Sequence, residues 1–586
     1  MNMKQLMTKW ADNINEKNVL GEYPRPLMRR KSYVNLNGIW KYAIRETKGF
    51  PKKMDGDILV PFSPEAVLSG VNRQLKPEEY LWYKRRFPDE VKPEKGSRWI
   101  LHFGAVDQCA VVYINGKKQG KHVGGYLPFS YDITEALKEE KNLLTVKVRD
   151  YSETCYYSRG KQKLKNGGMF YTAQSGIWQT VWIEKVPECY IGHLKITPLY
   201  DQSSIMIQME EEHGIKDIDY EVTITARKMW PVKASGKTGK PCVIMIPHMR
   251  RWSPEDPFLY DLHVRMGEDS VESYFAMRKV EVKNDKEGIP RIFLNNEPYF
   301  EKGVLDQGYW PDGLYTPPCD EAMIYDIQKM KDLGFNMIRK HIKIEPQRWY
   351  YHCDRIGMLV WQDMVNGGRE YKSWYVTWLA TAMEGTHIRA KDTRLHLMGR
   401  QDPTGQKQFE SEMKETIRRL YNHPSVVTWV IFNEGWGQFK TRKMTDIALA
   451  EDHTRLIDSA SGWFDQGCGD IKSIHDYFFP LNITPEKRVT ALTEFGGYSL
   501  QIPKHSMYEK DIYGYKIFKR KKDLSRAYEK LIKKLVIPNI SRGLSATVYT
   551  QLSDIEEEVN GILSYDRKIV KIDENVVREW NEKLHF

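Results

Sequence analysis

Two apolar runs in this 586-residue chain end abruptly in a carboxylate. The first is Ser425-Val-Val-Thr-Trp-Val-Ile-Phe-Asn-Glu434-Gly. The second is Val489-Thr-Ala-Leu-Thr-Glu494-Phe-Gly-Gly. Burial penalises the charged form of a carboxyl, so a glutamate closing a buried strand is costly unless it has a task. Two of them at two strand ends suit the cleavage of a glycosidic bond. One carboxyl must hold a proton for the departing oxygen; the other must stay ionised and attack the anomeric carbon. Glu434 fits the acid/base role, because burial beside a second carboxylate favours the protonated form. Glu494 fits the nucleophile, with Tyr477 as a donor that keeps it ionised. Asn433 is placed to hold a sugar 2-hydroxyl, whose hydrogen bond strengthens towards the transition state. Retention and inversion stay open here, since they differ in carboxyl separation, about 5–5.5 Å against 6.5–9.5 Å.

The elements around these residues alternate. Asp320 to Lys331 has helical periodicity and stops at Gly334, before Asn336-Met-Ile-Arg. Pro346 opens a helix over 347–356, and Gly357 leads into Met358-Leu-Val-Trp-Gln-Asp363. A long helix over 406–422 precedes the Val426 strand. Further strands are expected at Tyr299–Val304, Trp463–Gln466, Ile474–Tyr477, Val489–Glu494 and Ala546–Gln551. About eight strand–helix units give the arithmetic of a (β/α)8 TIM barrel over 286–586. Reactive groups on a barrel gather at the C-terminal strand ends. The candidates there are Asp306, Arg339, His341, Asp363, Asn433, Glu434, His475, Tyr477, Glu494 and Tyr549. Each alone has a structural use: an ion pair for Arg339, a core histidine for His475, a helix cap for Asp363. Their shared register favours a site.

Residues 1–187 read as short alternating strands separated by turns, the clearest turn being Asn115-Gly116. They imply a jelly-roll β-sandwich. A second β-rich stretch, 188–285, has the size and strand spacing of an immunoglobulin-like β-sandwich. Its Gly236-Lys-Thr is no phosphate loop, because Pro231 stands where the first glycine is needed. In the barrel region, Val365 to Arg400 is a long insertion. Its Tyr371, Trp374, Tyr375 and Trp378 serve either as a sugar-stacking wall or as packing.

The formal charge is +11, without a dominant basic block or any nucleic-acid-binding module. Seven cysteines with irregular spacing and no CxxC argue for free thiols and against a structural zinc site. No run approaches the roughly 20 apolar residues of a membrane span. The N-terminus lacks the apolar core of a signal peptide, which points to the cytoplasm; a secreted chain whose leader had been removed would read the same. No HExxH or Cys/His cluster marks a metal site. The expectation is a glycoside or oligosaccharide as partner, no nucleic acid, no membrane and no required cofactor, with homo-oligomerisation open. A non-catalytic carbohydrate-binding protein is the rival from another class.

The motifs resemble those of glycoside hydrolase family 2. They are Asn336-Met-Ile-Arg-Lys-His341, Gly357–Asp363, His423-Pro-Ser-Val-Val-Thr-Trp-Val-Ile-Phe-Asn-Glu434, Thr493-Glu-Phe-Gly-Gly497 and Tyr549-Thr-Gln. Leu36-Asn-Gly-Ile-Trp40 and Gly176–Trp182 match in the first domain. The resemblance implies an exo-acting, retaining β-glycosidase of the β-galactosidase, β-glucuronidase or β-mannosidase kind, with β-galactosidase-type activity expected first and a β-uronidase second. It implies acid/base Glu434 on strand four, nucleophile Glu494 on strand seven, and substrate contacts from Arg339, Asp363 and His475. Some members bind Mg2+ or Na+; no ligand set here compels either. The chain departs from the pattern at Arg339-Lys-His-Ile-Lys and at Leu552, where many members carry Trp. No Asn-x-Lys is well placed for a uronate carboxylate; Lys340, Lys343 and Arg339 are the cations at hand.

Overall fold

The computed structural model describes residues 6–227, 229–379, 390–478, 480–481, 483–509 and 512–586. The side chain of Trp378 and residues 380–389 of the expected insertion lie outside the described residues.

The first domain is a sandwich of a four-stranded and a six-stranded sheet. Alternation along the strands sends one face inward: Leu144, Val146 and Val148 meet Leu81, Tyr83 and Leu101 in a shared core. The hairpin Cys109–Ile114/Lys117–Val123 turns at Asn115 and Gly116, both at positive φ (52° and 82°), which the primed two-residue turn requires. The second domain sets a three-stranded sheet against a four-stranded one around Ile196, Ile207, Val222 and Val264. Its Trp252 reaches down to the barrel and donates to the Asp354 carbonyl at 2.8 Å.

Eight parallel strands then form the barrel: β1 Glu301–Asp306, β2 Met337–Lys340, β3 Leu359–Asp363, β4 Val426–Val430, β5 Leu456–Asp458, β6 Ile471–Asp476, β7 Val489–Gly496 and β8 Leu544–Thr550. Ladders run without a break from β5 through β1 to β6. Asp470 joins the β5–β6 seam: its N–H donates to the Ile457 carbonyl and its carboxylate accepts from the Ile457 N–H, each at 2.8 Å. The expected strand at 463–466 is not formed; β5 is Leu456–Asp458, and Trp463 lies in the loop beyond it. Leu456 and Ile457 supply the alternation, one to the lumen and one to the outer layer. The expectation of a helix in every unit also fails: the described residues following β5 and β6 are loop.

The lower lumen is apolar. Leu305, Met337, Leu359, Trp361, Val427, Ala491 and Val548 pack with Trp252 and Ile292. Polar groups therefore collect at the upper, C-terminal rim.

Candidate active site

Strand parity decides which rim residues face one another. On β2, Met337 packs in the lumen and Ile338 outside, so Arg339 points inward and Lys340 outward. On β7, Val489 and Ala491 face the lumen while Leu492 and Phe495 face the outer layer. A strict period of two would turn Glu494 outward. One extra residue in β7 resets the phase: the ladder to β6 jumps from Ile474↔Leu492 to His475↔Glu494. Such a bulge re-aims a side chain. It carries Glu494 into the lumen, opposite His475.

Glu434, past the end of β4, sits at φ 51° in the left-handed region, unusual outside glycine. Its N–H donates to the Ser461 carbonyl at 3.0 Å, which fixes the turn. One oxygen of Glu434, one of Glu494 and a ring nitrogen of His475 all lie within 4.8 Å of one another.

Each carboxylate is held. Glu494 accepts from the Tyr477 hydroxyl at 2.7 Å, and Arg339 Nη1 stands 3.4 Å from its other oxygen. Burial pushes the Glu494 carboxyl up, but the charges of His475, Arg339 and Lys161 outweigh it and hold the group well below the usual range. Tyr477 is itself fixed, stacked on Tyr515 with centroids 3.9 Å apart. His475 Nδ1 meets Glu434 at 2.9 Å and Nε2 meets Ser461 Oγ at 3.0 Å. Burial disfavours its charged form, yet the two carboxylates win and raise its pKa. A charged imidazole donates from both nitrogens, which suits its two contacts here.

Arg339 ties the floor together. It donates to both oxygens of Asp363 at 2.9 and 3.0 Å, to Asn433 Oδ1 at 2.8 Å and to the Thr493 carbonyl at 3.1 Å. His341 Nδ1 lies 2.8 Å from Asp363. Burial pushes this imidazole well below its ordinary value and the Lys161 ammonium acts the same way, so the contact is a hydrogen bond from a neutral ring rather than an ion pair.

Eight of the ten candidate residues thus join one connected polar network: Arg339, His341, Asp363, Asn433, Glu434, His475, Tyr477 and Glu494. Two do not. Asp306 lies outward on β1, where Lys340 donates to it at 2.5 Å; Glu345 then takes Lys340 at 2.8 Å and Lys343 at 2.9 Å. Tyr549 on β8 also points outward, against Tyr528 and Phe495, with centroids 5.2 and 5.7 Å away. The period of two explains both, because Leu305 and Val548 next to them face the lumen.

Phe170 and Trp436, near this network, carry no sequence signal of the kind used above. Phe170 from the first domain stacks on Trp436 (5.4 Å, 28°), and Tyr371 of the β3 insertion stacks on Trp436 too (5.7 Å, 15°). Tyr371 therefore joins an aromatic wall, while Tyr375 is buried and in ring contact with Phe464 at 5.3 Å, and Trp374 is largely exposed. Leu552 is buried and its N–H donates to the Leu305 carbonyl. Trp436, two residues past Glu434, is the indole beside the pocket.

Comparison with known proteins matches three family models along the chain. Models of the glycosyl hydrolases family 2 sugar binding domain, of glycosyl hydrolases family 2, and of the family 2 TIM barrel domain match residues 69–187, 189–278 and 319–493. A β-galactosidase of Thermoanaerobacter pseudethanolicus is 24% identical over 80% of this chain and 61% of its own. A β-glucuronidase of Streptococcus agalactiae is 24% identical over 70% of this chain and 68% of its own. The chain spans 34 to 61% of the length of three bacterial relatives it matches. Among solved structures, a β-glucuronidase of an uncultured Clostridium superposes with a TM-score of 0.73 at 18% identity, over 95% of this chain and 99% of that one. A β-galacturonidase of Eisenbergiella tayi bound to galacturonate gives 0.69 at 19% identity, over 96% and 100%.

Proposed function

We propose that this chain, which belongs to glycosyl hydrolase family 2, is an exo-acting β-glycosidase that cleaves terminal sugars with retention of configuration. The observation that carries the reading is the carboxylate pair, with oxygens of Glu434 and Glu494 within 4.8 Å of each other. That spacing is on the side of the double displacement, since a water-mediated single displacement needs about 6.5–9.5 Å.

Glu494 attacks the anomeric carbon as its bond to the leaving oxygen breaks, and Glu434 gives that oxygen a proton. Glu434 then takes a proton from water, whose oxygen attacks the same carbon and releases Glu494. Asn433, oriented by Arg339, is in place for the 2-hydroxyl. Phe170, Trp436 and Tyr371 offer stacking to an aglycone or sugar face.

Two measurements test this. Proton NMR of a cleavage reaction should show the β-anomer first, and a 2-deoxy-2-fluoro glycoside should label Glu494. Initial release of the α-anomer would refute retention. A Glu494→Gln variant that keeps turnover would refute the assignment of the nucleophile. Complete absence of turnover in the wild type would favour the carbohydrate-binding rival.

A 4-nitrophenyl glycoside panel identifies the sugar. A β-galactoside is the first expectation, on how often that activity occurs in the family. A β-glucuronide or β-galacturonide is the second, supported by relatives of those names. Lys340 and Lys343 add nothing to it, because both are committed to buried carboxylates.

A further inference from the structure

Four lysines are buried among the described residues: Lys161, Lys340, Lys343 and Lys571. Lys340 pairs with Asp306 and Glu345, Lys343 with Glu345, and Lys571 with Asp554. Lys161 is 7% exposed and has no carboxylate within ion-pair distance among the described residues. The other three ammonium groups are each paired with a carboxylate, so the place of this one calls for a reason.

The reason lies in where the first domain puts it. Ser158 bridges to Gly367, and the N–H groups of Arg159 and Gly160 donate to the Asn366 carbonyl at 3.1 and 2.9 Å. The segment is thereby pinned to the loop after β3. Gly160, at φ 63°, passes so near the loop after β2 that a Cβ would stand 3.0 Å from the Ile342 carbonyl. The next residue, Lys161, places its Nζ 5.5 Å from the Trp436 ring centre and 5.9 Å from that of Tyr171. Its charge reaches both Glu494 and His341. Glu494, however, is already served by Tyr477, Arg339 and His475.

We propose that Lys161 is a substrate-binding cation that receives a negatively charged group on the sugar held between Glu434 and Glu494. A uronic carboxylate and a sulfate ester share the chemistry. The inference rests on the glycosidase reading and adds the class of sugar to it.

The test uses matched 4-nitrophenyl pairs differing at C6: β-glucoside and β-glucuronide, β-galactoside and β-galacturonide, β-galactoside and its 6-sulfate. The wild type is expected to favour the charged member of one pair, and which pair distinguishes carboxylate from sulfate. Lys161→Met should lose about 10- to 100-fold more in kcat/KM on that member than on its neutral partner, which shares only the loss that follows from a weaker field on Glu494. Lys161→Arg should recover part of the loss. The Lys161→Met melting temperature should be unchanged or raised, because no ion pair is broken. Equal loss on both members, or a lowered melting temperature, would leave Lys161 only a field or structural role and overturn the proposal. If the wild type cleaves no substrate, the glycosidase reading fails first. Calorimetry with glucuronate, galacturonate and galactose 6-sulfate against glucose and galactose then decides. Absence of a charged preference, or one that survives Lys161→Met, overturns the proposal.

Discussion

At Glu494 the opposing forces can be separated by single substitutions. Its pKa is lowered, so it is ionised above that value and active there. Tyr477→Phe removes a donor to the ionised form, and the acid limb of kcat/KM should move to higher pH; an unmoved limb would count against that hydrogen bond. His475 shows the opposite sign. Its raised pKa contributes stability that is complete below the ordinary value of about 6.5 and is lost as the pH rises through the folded value. Glu434→Gln removes one of the charges that raise it, so the imidazole titration followed by NMR should move down. Arg339→Met leaves Asp363 buried without its partner and should cost about 3–5 kcal/mol in denaturant unfolding. For Glu434→Ala, substrates with very good leaving groups should suffer less than poor ones, because they need no proton. The carboxylate pair was legible in the sequence because each apolar run stops at it. Asp306 and Tyr549 were assigned by strand end alone, and parity sends them the other way.

The decisive element is the bulge in β7, which no composition or periodicity announces. Thr493 occupies the extra position; its hydroxyl accepts from Ser461 Oγ at 3.0 Å and donates to the Ile474 carbonyl at 3.2 Å. Deleting Thr493 should restore strict alternation, turn Glu494 outward and abolish turnover. Thr493→Val keeps the residue count but loses both hydrogen bonds, and should reduce kcat about 10-fold or more with little change in KM. A deletion variant with wild-type kinetics would exclude the bulge as the positioning device. Helices were easier to read than strands. Gln347–Ile356 falls where its flanking Pro346 and Gly357 place it, because those two residues act locally. β5 was misplaced because three residues between loops carry too little pattern to outweigh the bulkier Trp463-Phe464 nearby.

Across the whole molecule, the three domains share one foundation. Trp252 of the second domain belongs to the same apolar cluster as Leu359 and Val427 of the barrel floor, and Arg278 donates to the Pro424 and Val426 carbonyls at 2.9 and 2.7 Å. Trp252→Ala should therefore destabilise the barrel by about 3–5 kcal/mol, read as earlier loss of activity on heating. If only a separate, minor transition shifted while activity persisted, the domains would be energetically independent. The first domain is bound from above. Asn166 donates to Glu556, Gly168 to Glu557, and Tyr171 to Glu558, all in the loop after β8. Domain organisation could be anticipated from strand spacing; this clasp could not, since it depends on partners almost four hundred positions apart. Its consequence reaches past stability. The carboxylate pair comes from the barrel, whereas Phe170 of the aromatic wall is on loan from a different folding unit. Under the proposed function, preference and reactivity can therefore diverge: exchanging residues 162–172 for a relative's segment, with Lys161 kept, offers a way to alter preference while both carboxylates and the charges around them stay in place.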